Sequence, residues 1–215
     1  MRRPRIPGPV EGVIREGTRS LEVRWIFPGQ LNAEVTRWLG RFPSETQSLE
    51  DLYLVNPGSR GLSVKIRGGR ALEVKEYGGS RGTLSVADRA RGGLQAWQKW
   101  SFPFNPLNPG IGDPPGWTPV RKRRQITRFC WADGRITASA LGLAGPARCA
   151  VELTAVRMAG QCWWSLGFET TGQADLQRST LDATAELVFA APLPDGLQPG
   201  LNESTSYAEW LIRRP

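Results

Sequence analysis

In the stretch SVKIRGGRALEVK, residues 63–75, charge falls on alternate residues, and this alternation constrains the fold more than any other feature of the chain. Leu62, Val64 and Ile66 share one face, while Ser63, Lys65 and Arg67 share the other. After the Gly68-Gly69 turn, Leu72 and Val74 oppose Glu73 and Lys75. A helix would spread these residues around its circumference. A period of two instead sorts them cleanly onto the two faces of an antiparallel hairpin, which spans residues 60–79.

The same period recurs along the chain. SLEVRWIF (20–27) sets Leu21, Val23 and Trp25 against Ser20, Glu22 and Arg24. Strands are also expected at 49–55, 96–104, 120–129, 149–156 and 162–170. In the last of these the adjacent Trp163 and Trp164 must face opposite sides. Helical spacing is confined to 31–39, 174–188 and a short terminal helix at 206–214, whose Ser206 and Glu209 have capping-box spacing. SVADRARGG (85–93) reads as a helical turn. Strands do not alternate with helices, so the fold class is α+β, built on a large antiparallel sheet or barrel. Residues 1–18 carry few apolar anchors and are expected to form an arm, leaving 19–213 as a single domain. The Pro- and Gly-rich segment 103–119 can be neither helix nor strand interior and reads as a lid or a disordered loop.

Composition narrows the chemistry. The chain has no histidine, which excludes a Ser-His-Asp or Cys-His nucleophile, a histidine general base and a histidine-bound metal. Its three cysteines lack metal-like spacing and are expected to be buried free thiols. A net charge of +8 favours anionic partners. No apolar run is long enough to span a membrane, and no apolar stretch follows the basic N-terminus; a cytoplasmic protein with no membrane partner is expected.

The polar faces of the strands repeat one theme, a basic cluster with an acid of the same parity: Glu22 with Arg24, Lys65 and Arg67 with Glu73, Lys122 and Arg124 on the basic strand, and Glu152 and Glu169 later. A solvated outer face is one reading. The other is a closed barrel with these faces inward. Burying unpaired charges costs several kcal/mol each, against a total stability of roughly 5–15 kcal/mol. Such a lumen would have to be wet, hold a multiply charged anion and leave its acids available to a divalent cation.

Taken in order, these strands resemble the CYTH, or triphosphate tunnel metalloenzyme, family. The family's opening E-x-E-x-K strand is matched by Ser20-x-Glu22-x-Arg24, its basic strands by SVKIR, LEVK and RKRRQ, its late acidic pair by Glu152 and Glu169, and its terminal helix by SYAEWL. The resemblance runs over about residues 19–213. It implies an eight-stranded tunnel-like barrel that binds a triphosphate, nucleotide or polyphosphate. By the same resemblance, Arg24, Lys65, Arg67, Lys75, Lys122 and Arg124 would contact phosphate, and Glu22, Glu152 and Glu169 would hold Mg²⁺ or Mn²⁺ for hydrolysis of a phosphoanhydride.

Three positions depart from the pattern. Ser20 stands for its first glutamate, Arg24 for its lysine, and Gly167 for a second late acid. Arginine does not deprotonate usefully in a protein, so Arg24 can clamp a phosphate but cannot serve as a base. Two alternatives stay open: a non-catalytic phosphoanion-binding or regulatory protein, and a single-stranded nucleic-acid binder using Arg121, Arg123 and exposed tryptophans.

Overall fold

A computed structural model describes residues 17–55, 58, 61–103, 116–132, 134–140 and 144–213. All but residues 17–18 of the expected arm, and all but 103 and 116–119 of the Pro- and Gly-rich segment, fall outside them. Nine strands and three helices follow in the order β1 (Thr18–Pro28), α1 (Ala33–Leu39), β2 (Glu45–Leu54), β3 (Leu62–Arg67), β4 (Ala71–Val86), β5 (Ala90–Pro103), β6 (Trp117–Ala132), β7 (Arg135–Ser139), β8 (Ala147–Met158), β9 (Gln161–Gly172), α2 (Ala174–Phe189) and α3 (Tyr207–Ile212).

Eight strands close on themselves in the order β2-β3-β4-β5-β1-β9-β8-β6, with β6 pairing back to β2 through ten consecutive register partners. Every pairing is antiparallel, and β7 attaches only to the far end of β6. Closure removes the unpaired edges that an open sheet of this size would expose. The alternation seen in the sequence is thereby converted into an inside and an outside.

Packing on the outside is what makes the polar side face in. Leu21, Val23, Trp25 and Phe27 of β1, with Val151 and Leu153 of β8 and Leu166 and Phe168 of β9, join one buried cluster with Leu181, Ala185, Val188 and Phe189 of α2. The apolar core therefore lies between the barrel wall and a helix, not within the ring. Gly92 lets this layer close up, since a Cβ there would lie 2.6 Å from Val23 and 2.7 Å from Trp25. Trp164 stacks on Phe27 with ring centroids 4.1 Å apart in the outer layer, while Trp163 meets Trp210 of α3, so the two tryptophans do face opposite ways.

A second cluster lies on the lumen parity at one end of the barrel. Ile26, Val120, Val156 and Trp163 pack there against Trp210 and Leu211 of α3. This terminal helix is short and is set by its cap, Ser206 Oγ accepting from the Glu209 amide. The glutamate does not return the bond; its Oε2 accepts from Thr205 Oγ1 instead.

The helical turn expected at 85–93 is not formed. Val86 ends β4, Ala90 begins β5, and Arg89 N donates to Val86 O across a tight turn. Leu84 and Leu94 are buried and on strands, so the apolar alternation runs through the turn with no helical stripe between. Strand β7 was not expected from the sequence. Cys130 and Cys149 are buried free thiols and Cys162 is half-buried. Among the described residues, no helix is long and apolar enough to cross a membrane.

Candidate functional site

The ring brings all nine candidate residues to one place. Glu22 and Arg24 of β1, Lys65 and Arg67 of β3, Lys75 of β4, Lys122 and Arg124 of β6, Glu152 of β8 and Glu169 of β9 line a single cavity of about 90 Å³. The side chains fill the rest of the lumen themselves, through three linked ionic groups.

The first is centred on Lys75. Its Nζ lies 2.6 Å from Glu22 Oε1 and 3.4 Å from Glu169 Oε1, and Glu22 and Glu169 are register partners on adjacent strands. Ser20 Oγ donates to the same Glu22 oxygen at 2.6 Å. The second is centred on Asp51, whose Oδ2 is 3.1 Å from Lys65 and 3.0 Å from Lys122. Lys65 also reaches Glu73, which holds Arg67 at 2.9 Å, and Lys122 donates to Tyr53 Oη at 2.6 Å. In the third, Glu152 faces Arg124 at 3.2 Å and Arg24 at 3.9 Å.

Arg24 is enclosed by an aromatic ring, a hydroxyl and a glycine. Its guanidinium lies over the Tyr207 ring, 4.7 Å from the centroid, and donates to Ser165 Oγ at 3.3 Å. Ser165 in turn bonds the Tyr207 hydroxyl at 2.9 Å. Gly167, the register partner of Arg24, leaves the space the guanidinium fills, since a Cβ there would stand 2.7 Å from Arg24 Cζ.

Burial and charge oppose each other at four of the carboxyls. Desolvation pushes Asp51, Glu73, Glu152 and Glu169 upward, but the facing cations outweigh it and hold all four below the usual range. For Lys75, burial is outweighed by Glu169 and Glu22, which raise it. Lys65 and Lys122 go the other way: burial dominates, a neighbouring cation adds to it, and both are lowered.

Sequence reasoning missed Asp51, Tyr53, Lys99 and Tyr207. Asp51 is fully buried and holds two of the lysines. Its signal was an acid sharing the parity of Leu49 and Tyr53 in LEDLYLV. Lys99 lines the cavity beside Trp97, whose ring lies 5.3 Å from that of the exposed Tyr77. Glu73, read as a partner for charge, holds Arg67 and Lys65. Arg121 and Arg123 point outward and line, with Arg157, a separate open groove of about 700 Å³. Arg121 is paired there with Glu50 at 2.7 Å.

No family model and no curated protein matches the chain. Solved structures that are similar over most of its length include those of two proteins. The PH1819 protein from Pyrococcus horikoshii OT3 is 12% identical with a TM-score of 0.45, covering 91% of this chain and 99% of that one. The Pct1 RNA triphosphatase of S. pombe, in complex with the Spt5 CTD, is 10% identical with a TM-score of 0.37, covering 94% and 82%. The same triphosphatase in a second structure gives 11% and 0.39, covering 94% and 81%.

Proposed function

We propose that the lumen binds the phosphate end of a triphosphate- or polyphosphate-bearing anion. The observation that carries this reading is the charge balance of the cavity. Among the described residues, seven cations line it, Lys99 included, while the carboxylates among and around them number five: Glu22, Asp51, Glu73, Glu152 and Glu169. An excess of two positive charges in a largely desolvated space is unfavourable unless a multiply charged anion enters. Arg124 adds a ready donor, its Nε being buried without a hydrogen-bond partner. Lysines and arginines set around a narrow lumen suit phosphate oxygens, the arginines through their planar forks and the lysines as point charges.

With so little free space, the anion enters by exchange. Phosphate oxygens replace carboxylates as partners of Lys65 and Arg67, and the side chains withdraw to make room. Helix α3 seals one end of the barrel with Trp210 and Leu211, which favours entry of a chain terminus over threading.

Calorimetric titration with tripolyphosphate, against sulfate at equal ionic strength, tests the proposal. A saturable signal with clear preference for tripolyphosphate is expected, and it should weaken in Lys65→Ala. Equal affinity for sulfate would leave only a basic protein with a solvated charge excess. Sustained heat with released phosphate would extend the reading from binding to hydrolysis. An oligonucleotide binder would behave differently, surviving Lys65→Ala and failing when Arg121 and Arg123 are neutralised.

A further inference from the structure

We infer that this lumen holds its phosphoanion without a divalent cation, Arg24 supplying as a fixed side chain the positive charge a metal would bring. The inference rests on the phosphoanion reading above and specifies its coordination chemistry. Mg²⁺ or Mn²⁺, expected from the sequence resemblance, fits the residues poorly for three reasons.

The carboxylates are already committed. Glu22 and Glu169 face each other across β1 and β9, and the Lys75 ammonium sits between them at 2.6 and 3.4 Å. That is where an ion shared by the two carboxylates would have to sit. Glu152 directs its two oxygens to Arg124 and Arg24. Among the described residues, no three acidic, histidine or cysteine side chains are arranged to hold a metal.

Arg24 occupies a built site. Tyr207 lies under its plane, Ser165 accepts from it, Glu152 faces it, and Gly167 removes the side chain that would displace it. Any residue other than glycine at 167 brings a Cβ to 2.7 Å from the guanidinium carbon. A carboxylate at 167 and the present position of Arg24 are therefore mutually exclusive.

Charge arithmetic gives the third reason. In the pattern the sequence resembles, a lysine, two further carboxylates and a divalent ion sum to a net charge of one. Arg24 with the neutral Ser20 and Gly167 carries the same charge without the ion, and arginine keeps it at every accessible pH. It also presents hydrogen-bond donors in a fixed plane, where a metal would present open coordination positions. Free Mg²⁺ then becomes a competitor, since it complexes tripolyphosphate in solution and lowers the anion's charge.

Titration of the full-length protein with tripolyphosphate in EDTA and again in excess Mg²⁺, with Mn²⁺ electron paramagnetic resonance of the protein alone, tests this. Affinity in EDTA should equal or exceed that in Mg²⁺, and the Mn²⁺ spectrum should remain that of the free ion. Arg24→Gln, checked for folding by thermal melt, should lose about tenfold or more in EDTA, with no rescue by Mg²⁺. Binding about tenfold tighter with Mg²⁺, or a bound Mn²⁺ signal, would overturn the inference while leaving the phosphoanion reading intact. Absence of tripolyphosphate binding in both conditions would overturn both.

Discussion

Asp51 makes the fewest concessions to solvent of any charged residue in the lumen. It is fully buried, and one of its oxygens serves both Lys65 and Lys122. Removing its charge strands two ammonium groups in a space that disfavours them. Asp51→Asn is expected to destabilise the fold by about 3 kcal/mol, as breaking a buried pair does. The same variant should be rescued by the anion, so tripolyphosphate should raise its Tm more than it raises that of the wild type. A melt with and without the anion checks this; an equal shift in both proteins would count against the exchange of carboxylate for phosphate. Gly167→Ala has the opposite origin. It adds a Cβ 2.7 Å from the Arg24 guanidinium carbon, the far end of a flexible side chain, so the guanidinium must shift. Its tripolyphosphate affinity should fall with that of Arg24→Gln.

Among the elements, α3 turns an open barrel into a closed-ended one. It is six residues long and has little helical stability of its own, so its place depends on Ser206 and on the Trp163, Trp210 and Leu211 contacts. Trp210→Ala should cost about 3–5 kcal/mol, read from the denaturant midpoint, because a large buried ring leaves a cavity. Ser206→Ala should cost about 1 kcal/mol through loss of the cap. The element also shows where reading by pattern stops. The spacing of Ser206 and Glu209 located the helix correctly, yet nothing in SYAEWL says that Tyr207 enters the lumen and lies against Arg24 and Lys122. The turn at Ala87–Arg89 failed for a related reason: a polar run between two apolar alternations is equally compatible with a helical turn and with a hairpin bend, and only the pairing of β4 with β5 selects the bend.

For the molecule as a whole, stability and binding respond to pH in separate windows. Asp51, Glu73, Glu152 and Glu169 are held below their ordinary range when folded. In the unfolded chain the three glutamates protonate near 4.5 and Asp51 near 3.8, while Glu169 in the folded state holds out to about 2. Between those values the unfolded chain binds more protons, so stability falls as pH falls. The ion pairs contribute fully above that window. An acid-unfolding series should show this loss, and Asp51→Asn should flatten it. At the alkaline end the sign concerns the ligand. Lys65 and Lys122 are lowered from 10.5, so they shed their charge before an ordinary lysine does. Anion affinity should therefore decline below the usual lysine range, with proton uptake on binding, measurable by calorimetry in buffers of different ionisation enthalpy. Neutralising Arg121 and Arg123, on the outer groove, should leave tripolyphosphate affinity unchanged.

What the amino-acid sequence determined by itself was the sorting of side chains. A period of two assigns each residue of a strand to one of two faces, and the apolar residues of β1, β8 and β9 could only be buried together. That is why Glu22, Arg24, Lys65, Arg67, Lys75, Lys122, Arg124, Glu152 and Glu169 were legible as one polar set. Parity cannot say whether a polar face meets water or a lumen, because both satisfy the same alternation. That choice was made by ring closure through β2 and β6 and by α2 covering the outer face. Tertiary structure also chose the partners. Register set Gly167 beside Arg24 and Glu22 beside Glu169, and the curvature of the ring brought Asp51 to two lysines on different strands. Such contacts depend on how far one strand slides past the next, a quantity no single strand encodes.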